Sequence, residues 1–200
     1  MEFSGKSVVV TGGAQGIGKC IAECFAREGA VVHIIDVQEG PWFVGDLADK
    51  AVLERFAADV IAKSGKVDVL VNNAMPLFKG IDKCSYEEFA YAQAVGVVAP
   101  FYLAKLFRDR FAEGASIVNI SSSRDRMSQP QSESYTAAKG GIAALTHALG
   151  RDFAALLPES KVLAPKAFAG SSIKSSVKAL EEFATERISG QSMCSPAARN

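Results

Sequence analysis

The chain is short of cysteine and histidine and carries no net charge, and each shortage removes a class of protein from consideration. Its four cysteines, Cys20, Cys24, Cys84 and Cys194, show no C-x-x-C spacing, and its two histidines are His33 and His147. That set argues against a disulfide framework and against a zinc site, so no metal is expected. Lys plus Arg is 22 and Asp plus Glu is 22, so no electrostatic footprint for nucleic acid or an anionic membrane is present, and no Lys/Arg-rich run restores one. The apolar runs read as too short to span a bilayer, and Met1-Glu2-Phe3-Ser4-Gly5-Lys6 lacks the basic and long apolar parts of a secretory signal. With 48% hydrophobic and 22% charged residues over 200 positions, the composition is that of a globular chain with one core. The expectation is a single soluble domain over residues 1–200, in a reducing compartment such as the cytoplasm.

What the chain does have is alternation. Short β-branched runs at Ser7–Thr11, Val31–Asp36, Trp42–Val44, Val67–Asn72 and Ser116–Ser121 read as strands. Between them lie stretches of helical period at Ile17–Glu28 and Ala48–Ser64, and one from Ser85 roughly to Phe111 that opens on a capping box with Glu88. A last long helix is predicted over Ser134–Leu157. Continuous apolar strands separated by helices predict a parallel sheet covered on both faces, a Rossmann-like doubly wound α/β fold. Beyond it, Lys161–Ala164 reads as a short strand, Ser172–Arg187 as a helix, and the end as a frayed tail.

The first strand runs directly into Thr11-Gly12-Gly13-Ala14-Gln15-Gly16-Ile17-Gly18, and a helix follows at once. Glycines at such a turn let the backbone approach a pyrophosphate, and the helix N-terminus offers unpaired N–H donors to the anion. A lone glycine turn is weak evidence, but Asp36 closes the next strand 18 residues after Gly18. A carboxylate there suits the ribose hydroxyls of NAD and repels the 2′-phosphate of NADP, and neither Gln15 nor Val37 supplies a basic group for that phosphate. NAD is therefore the expected cofactor, with NADP disfavoured.

Tyr135 and Lys139 stand four apart on a predicted helix and share a face. A phenol with an ordinary pKa of about 10 is a poor base near neutrality, and an ammonium one turn away favours the phenolate. In order, Thr11-Gly12-x-x-x-Gly16-x-Gly18, Asp46-Leu47, Asn72-Asn73-Ala74, Asn119-Ile120-Ser121-Ser122 and Tyr135-x-x-x-Lys139 resemble the motif set of the short-chain dehydrogenase/reductase family over about Lys6–Leu157. The resemblance implies a seven-stranded sheet and a cofactor site made by Gly12, Gln15, Gly16, Ile17, Gly18, Asp36, Val37, Asp46, Leu47, Asn72, Ala74, Tyr135 and Lys139. It implies that Asp46-Leu47 contacts adenine and that Lys139 also bonds the nicotinamide ribose. Ser122, Tyr135 and Lys139 are the implied catalytic residues, with Ser122 holding the oxygen of an alcohol or carbonyl substrate while Tyr135 moves the proton. Association into a homodimer or homotetramer through Ala94–Phe111 and Ser134–Leu157 is also implied. Of the apolar residues Ile142, Leu145, Leu149 and Phe153 only one stripe can face the helix's own sheet, which agrees with that.

The pattern departs from the family in three places. Met75 stands where Asn-Asn-Ala is usually followed by Gly, and Gly96 stands where many members carry an asparagine that holds a relay water. Pro165-Lys166 replaces the usual Pro-Gly, no matching Thr follows, and only about 20 residues separate it from Ile188–Ser192, which resembles the entry to the family's last strand. The substrate lid thus reads as shortened or missing, in a minimal member or in a chain with residues omitted. Met75-Pro76-Leu77-Phe78 reads equally as pocket lining or as a buried loop, and Arg124-Asp125-Arg126 as a substrate-steering or a solvated loop. Both histidines and the Cys20–Cys24 pair read as packing or surface. Two functions compete: an NAD-dependent oxidoreductase acting on a secondary alcohol or carbonyl, and a dinucleotide-binding pseudoenzyme or sensing module.

Overall fold

A computed structural model describes residues 2–75, 77–156 and 161–163. Six strands form one parallel sheet in the order β3-β2-β1-β4-β5-β6. They are β1 (Ser7–Thr11), β2 (Val31–Asp36), β3 (Phe43–Val44), β4 (Val67–Asn72), β5 (Phe111–Asn119) and β6 (Lys161–Leu163). Reversal of strand order between β1 and β4 opens a crevice at the carboxyl ends of the strands, where doubly wound sheets bind ligands. Every residue of β1 and β4 is buried, which is why both read as unbroken apolar runs rather than alternating ones.

The helices are α1 (Gly16–Arg27), α2 (Lys50–Ser64), α3 (Tyr86–Gln93), α4 (Ala99–Leu106) and α5 (Glu133–Leu156). On one face of the sheet Leu53, Phe56, Val60, Leu103, Phe107, Ile117 and Phe153 form the larger core; on the other Val8, Val10, Ile21, Val71 and Ile120 form the smaller one. Asp49 caps α2 through Ala51 and Val52 N–H, and Gly65 ends it in a left-handed conformation, φ 70°. Ser85 and Glu88 make the capping box at α3 that their spacing predicts.

Several boundaries differ from expectation. The helix from Ser85 does not run to Phe111: α3 passes through a π turn at Ala94–Val98 into α4, which stops at Leu106 before a 3₁₀ turn at Arg108–Arg110. Phe111 instead begins β5 and pairs with Val67, after which the register slips until Ser116 meets Val69, with Gly114 at φ 70° inside the irregular stretch. The whole Tyr86–Leu106 segment is long and apolar enough to cross a membrane by length and composition, contrary to the reading that no run was. Part of its apolarity is spent on packing, because Ala92, Val95, Ala99, Leu103 and Ala104 are buried within the chain, while Val98 and Phe101 are exposed. Ile142, Leu149 and Phe153 are buried and Leu145 packs against the core, so these four residues serve the chain's own interior. The seventh strand, the helix over 172–187, Pro165, Lys166 and the lid lie outside the described residues.

Candidate functional site

A cavity of about 610 Å³ opens along the carboxyl ends of the strands. It is lined at one end by Gly12, Gln15, Gly16, Ile17, Asp36, Val37, Asp46 and Leu47, and at the other by Ala74, Ser122, Tyr135 and Lys139. Residues from the turn after β1 to α5, more than a hundred positions apart in sequence, therefore meet on one wall.

The glycine turn has the properties a phosphate cradle requires. Gly12 has φ 67°, and a Cβ there would lie 2.8 Å from Ala74 Cα; Gly16 has φ 56° and faces open space. Gly18 does not line the cavity. It lets α1 pack against the turn, since a Cβ there would lie 2.1 Å from the Gly12 carbonyl oxygen. Asn73 secures the same turn by donating from Nδ2 to the Thr11 and Gly12 carbonyls at 3.1 and 3.0 Å. The N-cap residue of α1, Gln15, makes no side-chain cap, and no acidic residue occupies the first turn. The positive end of α1 is thus left to an anion from outside the chain.

Asp36 is buried, and its two carboxylate oxygens accept from Ala14 N and Gln38 N, both at 3.0 Å. The bonds hold its charge at the end of β2 and brace the glycine turn from behind. Asp46 sits after β3, where its Oδ1 accepts from Ala48 N at 2.9 Å and from the Tyr91 hydroxyl at 3.2 Å. The residues that could hold a dinucleotide lie together here: an uncapped helix end, glycines that admit close approach, and the Asp36 and Asp46 carboxylates.

At the far end, Lys139 is buried and donates from Nζ to the Ile120 carbonyl at 2.6 Å, 5.5 Å from the centre of the Tyr135 ring. Burial alone pulls its ammonium down from the ordinary 10.5 to about 8. Ser122 caps the 3₁₀ turn Ser123–Asp125, its Oγ accepting from Arg124 N at 3.2 Å. Tyr135 stacks on Phe78 with ring centres 5.2 Å apart and planes at 37°. Ser134, fully buried just before it, receives Lys79 N at 2.8 Å and Gln93 Nε2 at 3.0 Å, so the start of α5 is tied to the loop after β4.

Asn72 lies behind the main cavity rather than on its wall. With Lys139 and Gly96 it lines a separate space of about 10 Å³. Its Nδ2 donates to Asn119 Oδ1 at 2.7 Å, while its own Oδ1 is buried without a partner. Met75 is 73% exposed and lines the cavity, whereas Leu77 and Phe78 do not line it and Pro76 lies outside the described residues. Arg124 donates to Gln129 and Asp125 accepts from Ser121 at 3.4 Å, and neither joins the wall, which favours the loop reading of that segment. His33 is buried and bonded to Ser64 at 2.7 Å, and His147 is exposed, so neither reaches the site. Sequence reasoning missed Tyr91, Val95, Gln38 and Ile120 as lining residues. Only the helical period of Tyr91 and Val95 hinted that they share a face.

A family model described as short chain dehydrogenase matches residues 6–157. The chain belongs to the short-chain dehydrogenase family. Among curated relatives, an uncharacterized oxidoreductase of Thermotoga maritima is 34% identical over 74% of this chain and 65% of its own length. An L-fucose dehydrogenase of Mus musculus is 32% identical over 76% of this chain and 61% of its own. The chain therefore spans less than two thirds of these relatives' length. Among solved structures, an apo SCOR enzyme from Clostridium thermocellum superposes with a TM-score of 0.79 at 35% identity, covering 91% of this chain and 87% of that one. A blue fluorescent protein from a metagenomic library, solved in complex with NADPH, gives 0.73 at 27% identity over 78% and 71%. Family membership extends the local geometry to a known architecture, and the short-chain dehydrogenase fold accounts for the strand order and the position of the cavity.

Proposed function

We propose that this short-chain dehydrogenase is an NAD-dependent oxidoreductase interconverting a secondary alcohol and a carbonyl. The observation that carries the reading is one shared cavity: an uncapped helix end and the Asp36 carboxylate lie at one end, and Ser122, Tyr135 and Lys139 at the other. When bound, the nicotinamide gives or takes the hydride. Ser122 Oγ holds the substrate oxygen beside Tyr135, and the Tyr135 hydroxyl supplies or removes the proton there. Lys139 supports the phenolate electrostatically and reaches the nicotinamide ribose. Asp36 favours NAD because a buried carboxylate with both oxygens bonded to backbone N–H groups has no freedom to withdraw from a 2′-phosphate. A fold relative with NADPH makes this preference a point to be measured rather than inherited.

Gly96 leaves out the side chain that many members place in the proton relay, and a water held nearby would take its part. The π turn that contains Gly96 interrupts the regular helical ladder beside Lys139. The small space between Gly96, Lys139 and the unpartnered Asn72 Oδ1 has the volume of one water and polar groups to hold it. Association into a homo-oligomer is part of the proposal, and its support is the exposed Val98 and Phe101 on the outer side of the π turn and α4. The test of activity is a substrate screen by NADH absorbance, with secondary alcohols and sugars included. Tyr135→Phe is expected to remove turnover while NADH still binds. Turnover unaffected by that substitution would refute the mechanism, and NADH binding with no turnover on any substrate would favour a binding module.

A further inference from the structure

Asp46 and Tyr91 are 45 residues apart in sequence, one in the loop after β3 and the other on α3, yet they meet over the cofactor cavity. The Asp46 carboxylate is asymmetrically engaged. Its Oδ1 accepts from both Ala48 N and the Tyr91 hydroxyl, while Oδ2 accepts no hydrogen bond among the described residues. One local backbone bond leaves a carboxylate free to rotate about its terminal torsion, which is a broad well. A second bond from a different element fixes its plane and leaves one oxygen for a ligand.

We propose that Tyr91 is a positioning residue for base selection: by holding Oδ1, it presents Oδ2 of Asp46 to the 6-amino group of adenine and so discriminates against a 6-oxo purine. This rests on the reading that Asp46 faces the adenine of the dinucleotide. An ionised carboxylate only accepts, so it gains from a 6-amino donor and repels the lone pairs of a 6-oxo group. Burial, together with the Asp46 charge, holds the Tyr91 phenol above its ordinary value, which keeps it a donor across the neutral range. Tyr91 is also 39% exposed, so removal of its hydroxyl opens no core cavity.

The experiment is calorimetric titration of the wild type, Tyr91→Phe and Asp46→Asn with NADH and with the reduced hypoxanthine analogue of that dinucleotide, each variant first checked for unchanged thermal unfolding. The wild type is expected to prefer NADH by about tenfold, the scale of one hydrogen bond to a charged group. Tyr91→Phe is expected to bring the preference below about threefold by weakening NADH binding alone, since the lost contact orients the base-reading oxygen. Asp46→Asn, which offers an amide donor, is expected to abolish or invert the preference. If Tyr91→Phe keeps the full preference while Asp46→Asn loses it, Tyr91 has no positioning role and the inference fails with the adenine reading intact. Equal weakening of both dinucleotides in Tyr91→Phe also overturns it, because the ring would then be packing only. If Asp46→Asn keeps the preference, the adenine reading itself is wrong, and if neither dinucleotide binds the wild type, the cofactor reading falls.

Discussion

Lys139 is held at a cost that the role proposed for it explains. Its folded value of about 8 lies below the ordinary 10.5, so the folded chain binds this proton less tightly than the unfolded chain. The destabilisation is therefore full below about pH 8 and fades as pH rises toward 10.5. Lys139→Met, which buries no charge, is expected to stabilise the protein by about 1–3 kcal/mol at pH 7 while abolishing turnover. Urea unfolding at pH 7 and at pH 10 measures it, and the gain should shrink at the higher pH. A destabilised variant at pH 7 would mean that the Ile120 bond outweighs the buried charge. His33 carries the same kind of information, far from the site. Burial and Lys63 lower its value against the opposing pull of Asp59, so its folded state also resists protonation. Its contribution is fully present above the ordinary 6.5 and is lost as pH falls below it. The wild type is expected to lose more stability between pH 7.5 and 5.5 than His33→Asn, as read from urea midpoints.

At the scale of elements, the glycine turn joins conformational freedom to close approach. Gly12→Ala must accommodate both a left-handed φ and a Cβ against the Ala74 backbone, whereas Gly16→Ala meets only the first demand. Gly16→Ala should cost about 1–2 kcal/mol and Gly12→Ala distinctly more. Equal unfolding midpoints for the two would contradict the contact with Ala74. This turn, Asp36, and the Tyr135–Lys139 pair were legible in sequence because each depends on spacing within one element or across one strand-turn-helix unit. The π turn was not legible, because Ala94-Val95-Gly96-Val97-Val98 continues the apolar pattern of a helix and the extra residue leaves no mark on composition. Phe111 was assigned to the helix for the same reason: its apolar character serves a helix end and an irregular strand start equally. The Tyr91–Asp46 contact joins elements that only tertiary folding brings together, so no local pattern could announce it.

Over the whole molecule, the parallel sheet covered by helices follows from the alternation, but the strand order and the surface do not. Ile142, Leu145, Leu149 and Phe153 of α5 face the core, while the exposed Val98 and Phe101 pass outward from a segment that looked like a single continuous helix. The proposed association is accordingly assigned to that face. Combining Val98→Glu with Phe101→Glu is expected to give a folded monomer, with the wild type larger by light scattering. An unchanged mass would place any association elsewhere. The central claim, that this cavity takes NAD in preference to NADP, is tested most directly by calorimetric titration of the purified wild type with NADH and, separately, with NADPH. Binding of NADH in the micromolar range with NADPH at least about tenfold weaker, the scale of one repelled charge, is the predicted result. Equal or tighter binding of NADPH would contradict the role given to Asp36, and binding of neither would contradict the assignment of the cavity.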